Sequence, residues 1–220
     1  MTDAETVIEA RGVGLSYRDG QRHVTALHDI DLAVARGERV ALVGPSGSGK
    51  SSLLFVLGGL RRPTHGDVLL LGRSLVGGAD ATADVRRRHV GFLFQEPFLV
   101  PYLTVRENAL AHVPTAEASE RVEALAVSIG IAHLLDERPH RLSGGERQRA
   151  GLLRALAAGP DLILADEPTA SLDHATGRAV LDALAAHARD AALVVATHDL
   201  SMLDAVHRVL RLADGRQTPG

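Results

Sequence analysis

The stretch Gly44-Pro45-Ser46-Gly47-Ser48-Gly49-Lys50-Ser51 decides how this chain is read. It follows the apolar run Arg39-Val40-Ala41-Leu42-Val43 and opens a helix-compatible stretch from Lys50 to Leu60 that closes on Gly58-Gly59. Strand, glycine-rich loop and helix in that order, with Gly44, Gly49, Lys50 and Ser51 fitting G-x-x-x-x-G-K-[ST], describe a loop that wraps a nucleotide's phosphates. Lys50 sharpens the reading because it is the only lysine in the chain, and arginine meets every other demand for a fixed positive charge. A loop closed tightly round phosphates has room for a slim ammonium on a flexible stem and none for a planar guanidinium. The N–H groups from Gly47 to Ser51 are expected to face the β-phosphate, at the positive end of the helix. Lys50 is expected to bridge the β- and γ-phosphates, Ser51 to ligate Mg²⁺ and Ser52 to reach the α-phosphate.

Outward from this loop, 220 residues with 45% hydrophobic content can bury a full-sized core, as one large α/β domain or a core with a small subdomain. The chain has no cysteine, which fits a reducing compartment and removes thiolate metal sites. Its start, Met1-Thr2-Asp3-Ala4-Glu5, is acidic with no apolar signal region, and no stretch approaches the roughly 18 apolar residues of a spanning helix. A cytoplasmic protein, not itself embedded in a membrane, is expected. A net charge of −3 speaks against generic nucleic-acid binding, which needs a basic face. The dense basic run Arg86-Arg87-Arg88 reads as a solvated helix face.

Apolar–polar alternation from Val7 to Tyr17 and from Val24 to Val34, with Asp19-Gly20 between, predicts an antiparallel hairpin before the loop. Buried-type strands are predicted at Asp67–Leu71, His89–Phe94, Leu162–Asp166 and Leu193–Thr197, separated by helical stretches. That alternation implies a largely parallel sheet covered on both faces. From about Thr104 to Leu142 the pattern is helical, at Val105–Val113 and Ala116–Ile129, with no strand candidate. The expected fold is therefore an α/β phosphate-loop NTPase core with an N-terminal antiparallel β subdomain and an inserted helical subdomain. The whole of 1–220 reads as one domain, with 1–94 and 159–220 as core and 95–158 as the insertion.

Two further segments carry chemistry. Leu162-Ile163-Leu164-Ala165-Asp166-Glu167-Pro168 is an apolar strand ending in two carboxylates, with Pro168 stopping the ladder. Ligands collect at such strand ends in parallel sheets. Asp166 is expected to hold Mg²⁺ through water, and Glu167, pointing the other way along the strand, to polarise the attacking water. Leu142-Ser143-Gly144-Gly145-Glu146 opens a helical stretch running to Ala158. Ser143 and Glu146 have capping-box spacing, yet a capping box does not need two glycines. Gly144 and Gly145 strip side chains from a helix N-terminus and leave a second candidate anion site.

With both phosphate-seeking helix ends in place, the chain resembles the nucleotide-binding subunit of an ATP-binding cassette (ABC) transporter, from about Val7 to Gly215 and with the motifs in family order. The resemblance implies ATP and Mg²⁺ as ligands and a sandwich of two copies. In it, Ser143, Gly144 and Gly145 of one copy close on the γ-phosphate held by the other. It implies that Tyr17 stacks on adenine, that Gln95 touches Mg²⁺ or water, that Asp173 in Ser171-Leu172-Asp173 acts across the dimer, and that His198 contacts the γ-phosphate. His198 also follows the apolar run Leu193-Val194-Val195-Ala196, so it should emerge at the same sheet edge as Glu167. The other ten histidines have no assigned role. Catalysis then falls to Lys50, Gln95, Glu167 and His198, and the metal to Ser51, Gln95 and Asp166.

Within the family, Gly58-Gly59-Leu60, Phe92-Leu93-Phe94-Gln95 and Pro101-Tyr102-Leu103-Thr104 resemble the group serving lipoprotein release, macrolide or peptide export and cell division. The sequence runs only a few residues past Asp214-Gly215-Arg216, so the regulatory domain of many sugar-importer ATPases is not expected. The partner implied is a separately encoded membrane permease gripped near Gln95 and Tyr102, with this subunit peripheral on the inner face of the membrane. His65, where many members carry a small hydroxyl residue, and Glu96-Pro97 after Gln95 depart from the common pattern. The alternative is a soluble ABC ATPase such as one acting in iron–sulfur cluster assembly. A kinase or GTPase would leave Leu142–Glu146 and His198 without a role.

Overall fold

Strand parity divides the core in two. In β7 (Leu162–Asp166) and β8 (Ala192–Ala196) every residue is buried, and even-numbered and odd-numbered side chains pack on opposite faces of the sheet. Leu162, Leu164, Ala192, Val194 and Ala196 join one apolar cluster, whereas Ile163, Ala165, Leu193 and Val195 join the other. This is the mark of a parallel sheet covered on both sides. The computed structural model describes residues 5–19, 22–77, 79–113, 115–170, 172, 174–187, 189–198 and 206–218.

In chain order, β1 (Thr6–Asp19) and β2 (Arg22–Ala35) precede β3 (Arg39–Val43), and α1 (Lys50–Leu57) follows the glycine loop. Then come β4 (His65–Leu70), β5 (Arg73–Ser74), α2 (Ala79–His89) and β6 (Val90–Leu93). The helical stretch holds α3 (Val105–Leu110), α4 (Ala116–Ser128) and α5 (Gly144–Leu156), with short 3₁₀ turns at Ala132–Leu134 and Pro139–Arg141. After β7 the chain forms α6 (His174–His187), β8, β9 (Arg208–Ala213) and β10 (Arg216–Thr218).

Two sheets result. The first is antiparallel, in the order β2-β1-β4-β5, and the second runs β10-β9-β3-β8-β7-β6, parallel except for β10. Helix α1 lies in the cluster between the sheets, with Leu53, Leu54 and Leu57 at 0% exposure. Truncating one of these leucines to alanine would cost about 2–5 kcal/mol. Helices α3, α4, α5 and α6 cover the opposite face. The hairpin, β3 and the two helices inside the insertion lie where the sequence puts them.

Three differences have physical reasons. The segment expected as a buried strand at Asp67–Leu71 belongs to the antiparallel sheet, paired with β1 as Ile8↔Leu70, and its polar positions alternate outward. The helix from Lys50 stops at Leu57, because Gly59 takes φ +64° and the N–H groups of Gly58 and Gly59 turn back on the carbonyls of Leu54 and Val56. The sequence reading leaves Arg208–Thr218 unassigned, yet β9 pairs with β3 and β10 returns antiparallel beside it. In the basic run, Arg87 and Arg88 pair with Asp84 in solvent, while Arg86 turns to the Gly59 carbonyl. No described helix is long and apolar enough to cross a membrane.

Candidate active site

β3, buried between β8 and β9, delivers the glycine loop to the carboxyl edge of the parallel sheet. Backbone crowding there fixes the glycines. A Cβ on Gly44 would lie 2.1 Å from the Leu212 carbonyl oxygen, and one on Gly49, at φ +101°, would lie 2.6 Å from that of Ala26. The turn between β9 and β10 braces the loop from outside, with the Gly215 N–H donating to the Ser48 carbonyl (3.0 Å) and its carbonyl accepting from His28 N–H (2.8 Å). Sequence reasoning missed this brace, and Asp214-Gly215 was its one signal.

α1 begins without a side-chain cap and with no acidic residue in its first turn, so its free N–H groups and positive dipole end are open to an anion. Gly44 through Ser52 line a cleft of about 510 Å³ together with Ala26, Gln95, Glu167 and His198. Lys50 is 8% exposed, and its Nζ donates to the carbonyls of Gly44 (2.8 Å) and Pro45 (3.1 Å). An ammonium has three protons. The loop carbonyls take two and leave one for a bound phosphate oxygen.

The strand end β7 supplies the carboxylates. Ser51 Oγ donates to Asp166 Oδ1 at 3.1 Å, and Asp166 is 7% exposed. Burial pushes its carboxyl above the ordinary aspartate value; the Ser51 hydrogen bond pulls the other way, the Glu167 charge adds to the rise and the Lys50 charge opposes it. A buried carboxylate beside a hydroxyl offers two hard oxygens to a small cation that keeps its remaining positions for water and phosphate oxygens, as Mg²⁺ does. Among the described residues no cluster of three or more His, Cys, Asp or Glu that could hold a metal ion forms.

β7 ends at Asp166, and Glu167 takes φ +45°, with its N–H donating to the Ala196 carbonyl at 2.9 Å. Its side chain lines the same cleft as Lys50, with Oε2 2.8 Å from His198 Nδ1. His198 thus emerges beside Glu167, as its place after β8 suggested. Gln95, just beyond β6, lines this cleft and also a neighbouring one of about 410 Å³ that Gly144 and Gln148 help to line.

Other expected residues stand apart. Ser143, Gly144 and Gly145 do not line the phosphate cleft of their own chain. Ser143 and Glu146 form the capping box: the Ser143 N–H and hydroxyl both donate to Glu146 Oε2 at 2.7 Å, and the Glu146 N–H returns to Ser143 Oγ at 3.3 Å. Tyr17 is absent from the cleft lining, where Ala26 stands; it packs against the core and carries the Arg61 guanidinium 5.8 Å from its ring centroid. Asp173, like Ser171, lies outside the described residues. His65 has a local explanation, since its ring fills the space over Gly14 and reaches Asp29 at 3.0 Å.

Comparison with known proteins adds four findings. The family described as "ABC transporter" matches residues 27–170. A lipoprotein-releasing system ATP-binding protein LolD of Pseudomonas syringae pv. tomato is 42% identical over 96% of this chain and 97% of that protein. Macrolide export ATP-binding/permease protein MacB 1 of Aeromonas hydrophila is also 42% identical over 96% of this chain, which spans only 34% of that longer protein. A solved dimeric post-hydrolysis state of the ATP-binding cassette MJ0796, bound to ADP and Pi, superposes with a TM-score of 0.88 at 32% identity, over 96% of this chain and 97% of that one.

Proposed function

The chain belongs to the ABC transporter family, and from that premise we propose that it is the ATP-binding and ATP-hydrolysing subunit of a membrane complex of the lipoprotein-release or macrolide- or peptide-export kind. It works as a pair of copies on a separately encoded permease. The observation that carries the hydrolytic reading is one juxtaposition: the Glu167 carboxylate, bonded to His198, faces the cleft that holds Lys50 and Ser51. Glu167 takes the proton from a water aligned with the γ-phosphate, and His198 holds that carboxylate and reaches the same phosphate. Lys50 and the bare start of α1 stabilise the charge that spreads over the transferring group. Ser51, Gln95 and, through water, Asp166 would hold Mg²⁺, which would supply positive charge against the phosphate oxygens.

A lone chain lacks half of this site, because its own signature residues lie outside the cleft. A second copy supplies Ser143, Gly144 and Gly145 to the γ-phosphate and Asp173 to the contact across the pair. The dimeric MJ0796 cassette supports that arrangement. Tyr17, which the resemblance assigns to the base, remains our choice for the adenine. The insertion 95–158 moves as the arm that brings the signature in. The subunit sits on the cytoplasmic face of the membrane, and the permease grips it beside Phe98 and Tyr102, which are 66% and 72% exposed. The relatives named for lipoprotein release and macrolide export favour this reading over iron–sulfur cluster assembly.

The test is Glu167→Gln with MgATP. It is expected to keep ATP binding, to lose turnover by about a hundredfold or more as a removed general base does, and to accumulate an ATP-bound dimer that pulls one multi-span protein from solubilised native membranes. Normal turnover removes Glu167 from its role. Recovery of soluble proteins alone removes the permease.

A further inference from the structure

Gln148 has no part in the site described so far, yet it is 5% exposed on a helix that begins at the signature glycines. Its Nε2 donates to two backbone carbonyls, Phe94 at 3.2 Å and Pro168 at 3.3 Å. Phe94 immediately precedes Gln95, and Pro168 immediately follows Glu167. The two segments leave the sheet side by side, because β6 and β7 are parallel neighbours whose register ends at Leu93↔Ala165. Beyond that pair no ladder bond joins them. The Gln148 amide supplies the cross-link at the point where the sheet stops providing one.

The contact continues along the same helix. Gly151, three residues on, meets Pro97 so closely that a Cβ there would lie 2.7 Å from Pro97 Cβ. Arg154, three further, donates to the carbonyls of Pro97 (2.6 Å) and Phe98 (2.9 Å). Residues three apart form one ridge of an α-helix. The ridge 148-151-154 therefore tracks the whole segment 94–98, and its upper end also holds the residue after Glu167.

We propose that Gln148 is a positioning residue for ATP hydrolysis: its side-chain amide, donating to the carbonyls of Phe94 and Pro168, fixes Gln95 and Glu167 relative to each other and ties both to the signature helix. The water and the carboxylate that activates it are then aligned only when α5 is seated. The inference rests on the reading of Gln95 and Glu167 as hydrolytic residues.

Gln148→Met keeps the length and the apolar stem and removes both donors. In the purified chain with MgATP, kcat is expected to fall at least about tenfold while KM and nucleotide affinity stay within about twofold, since a displacement of about 1 Å at a reacting group can cost a hundredfold. In a Gln95→Ala background the same substitution should cost far less, because its effect passes through the segment Gln95 occupies. A folded Gln148→Met with wild-type kcat overturns the proposal, as does a loss shared equally with KM or full additivity with Gln95→Ala. Should Gln148→Met not fold, Gln148→Leu decides: it too removes both donors while keeping an apolar side chain, so an unchanged kcat there also overturns the proposal. Glu167→Gln run in parallel separates the two readings: its normal turnover would defeat the hydrolytic assignment itself.

Discussion

Helices α1 and α5 both start next to glycines, and both sequences suit an anion, yet the structure treats the two starts in opposite ways. α1 begins at Gly49-Lys50 with no side-chain cap and no acid in its first turn. α5 begins at Ser143-Gly144 with its own carboxylate, Glu146, occupying the cap. The α1 start is walled by backbone, where Gly44 and Gly49 have no space for a Cβ, whereas nothing lies within 4 Å of a Cβ on Gly144. A bare, walled start can bind phosphate within its own chain. A capped start with open space before it is shaped for a ligand that arrives from outside, already bound to another surface.

The largest expected effect tests the bare start. Lys50→Arg keeps the charge but puts a planar fork where Nζ bridges two loop carbonyls, so ATP turnover should fall by about 10²–10³, the usual cost of losing one donor to the transition state. Turnover near wild type would show that the loop tolerates a guanidinium and would break the steric half of the contrast.

Alanine at the two glycines sharpens the contrast next. Gly49→Ala forces an L residue to φ +101° against the Ala26 carbonyl, a strain of about 1–3 kcal/mol, and nucleotide binding should weaken with stability. Gly144→Ala should leave folding intact or gain up to about 1 kcal/mol from helix propensity, and leave binding of ATP to the single chain unchanged. It should nevertheless lower turnover and ATP-driven dimerisation. Thermal melts, nucleotide titration and sizing with ATP separate the two outcomes; matching losses at both glycines would mean that the starts are equivalent.

How much of this the sequence carried depends on how local each feature is. β3, the glycine loop and the start of α1 are contiguous, so Gly44 to Ser51 were legible as a phosphate loop without any tertiary contact. The capping box was equally local. Glu167 was legible as the last carboxylate of an apolar strand, but its positive φ after β7 and its contact with His198 carried no local signal. Gln148 carried no visible signal, since its burial and both its partners exist only once residues 94–98 and 168 pack on α5. The Gly215 brace on Ser48 was hidden for the same reason, being a contact between chain positions far apart. Tyr17 is assigned a base to stack on by resemblance alone; in the structure its ring faces the Arg61 guanidinium.

A smaller effect separates ligand sites from structural ones by stability. Burial raises the Asp166 carboxyl above its ordinary value, so the folded state holds that proton more tightly than the unfolded chain does. Stability is then lost as pH rises from about 4 through the raised value, and the penalty is fully present above it. Asp166→Asn should therefore stabilise the nucleotide-free protein by about 1 kcal/mol at pH 8, with the gain shrinking toward pH 4. A variant that melts below wild type at pH 8 would make Asp166 a structural carboxylate like those of the surface ion pairs.

Glu146 should show the reverse sign and the smallest size. Its carboxyl is held below the ordinary value because it accepts the Ser143 backbone N–H and then the Ser143 hydroxyl. A depressed carboxylate stabilises the fold above its unfolded pKa, and that contribution disappears as pH falls through the folded value. The group is exposed, so solvent screening keeps its worth to about 0.5 kcal/mol, at the low end for a helix cap. Glu146→Ala should thus melt slightly below wild type at pH 7 and converge with it only as pH falls through the lowered folded value, where wild type loses the charge. Nucleotide binding at α1 should not move at all, because that start never used a side-chain cap. If Glu146→Ala instead weakened ATP binding to the single chain, the α5 start would be contributing to its own chain's site, and the division between a bare start that binds and a capped start that receives would fail.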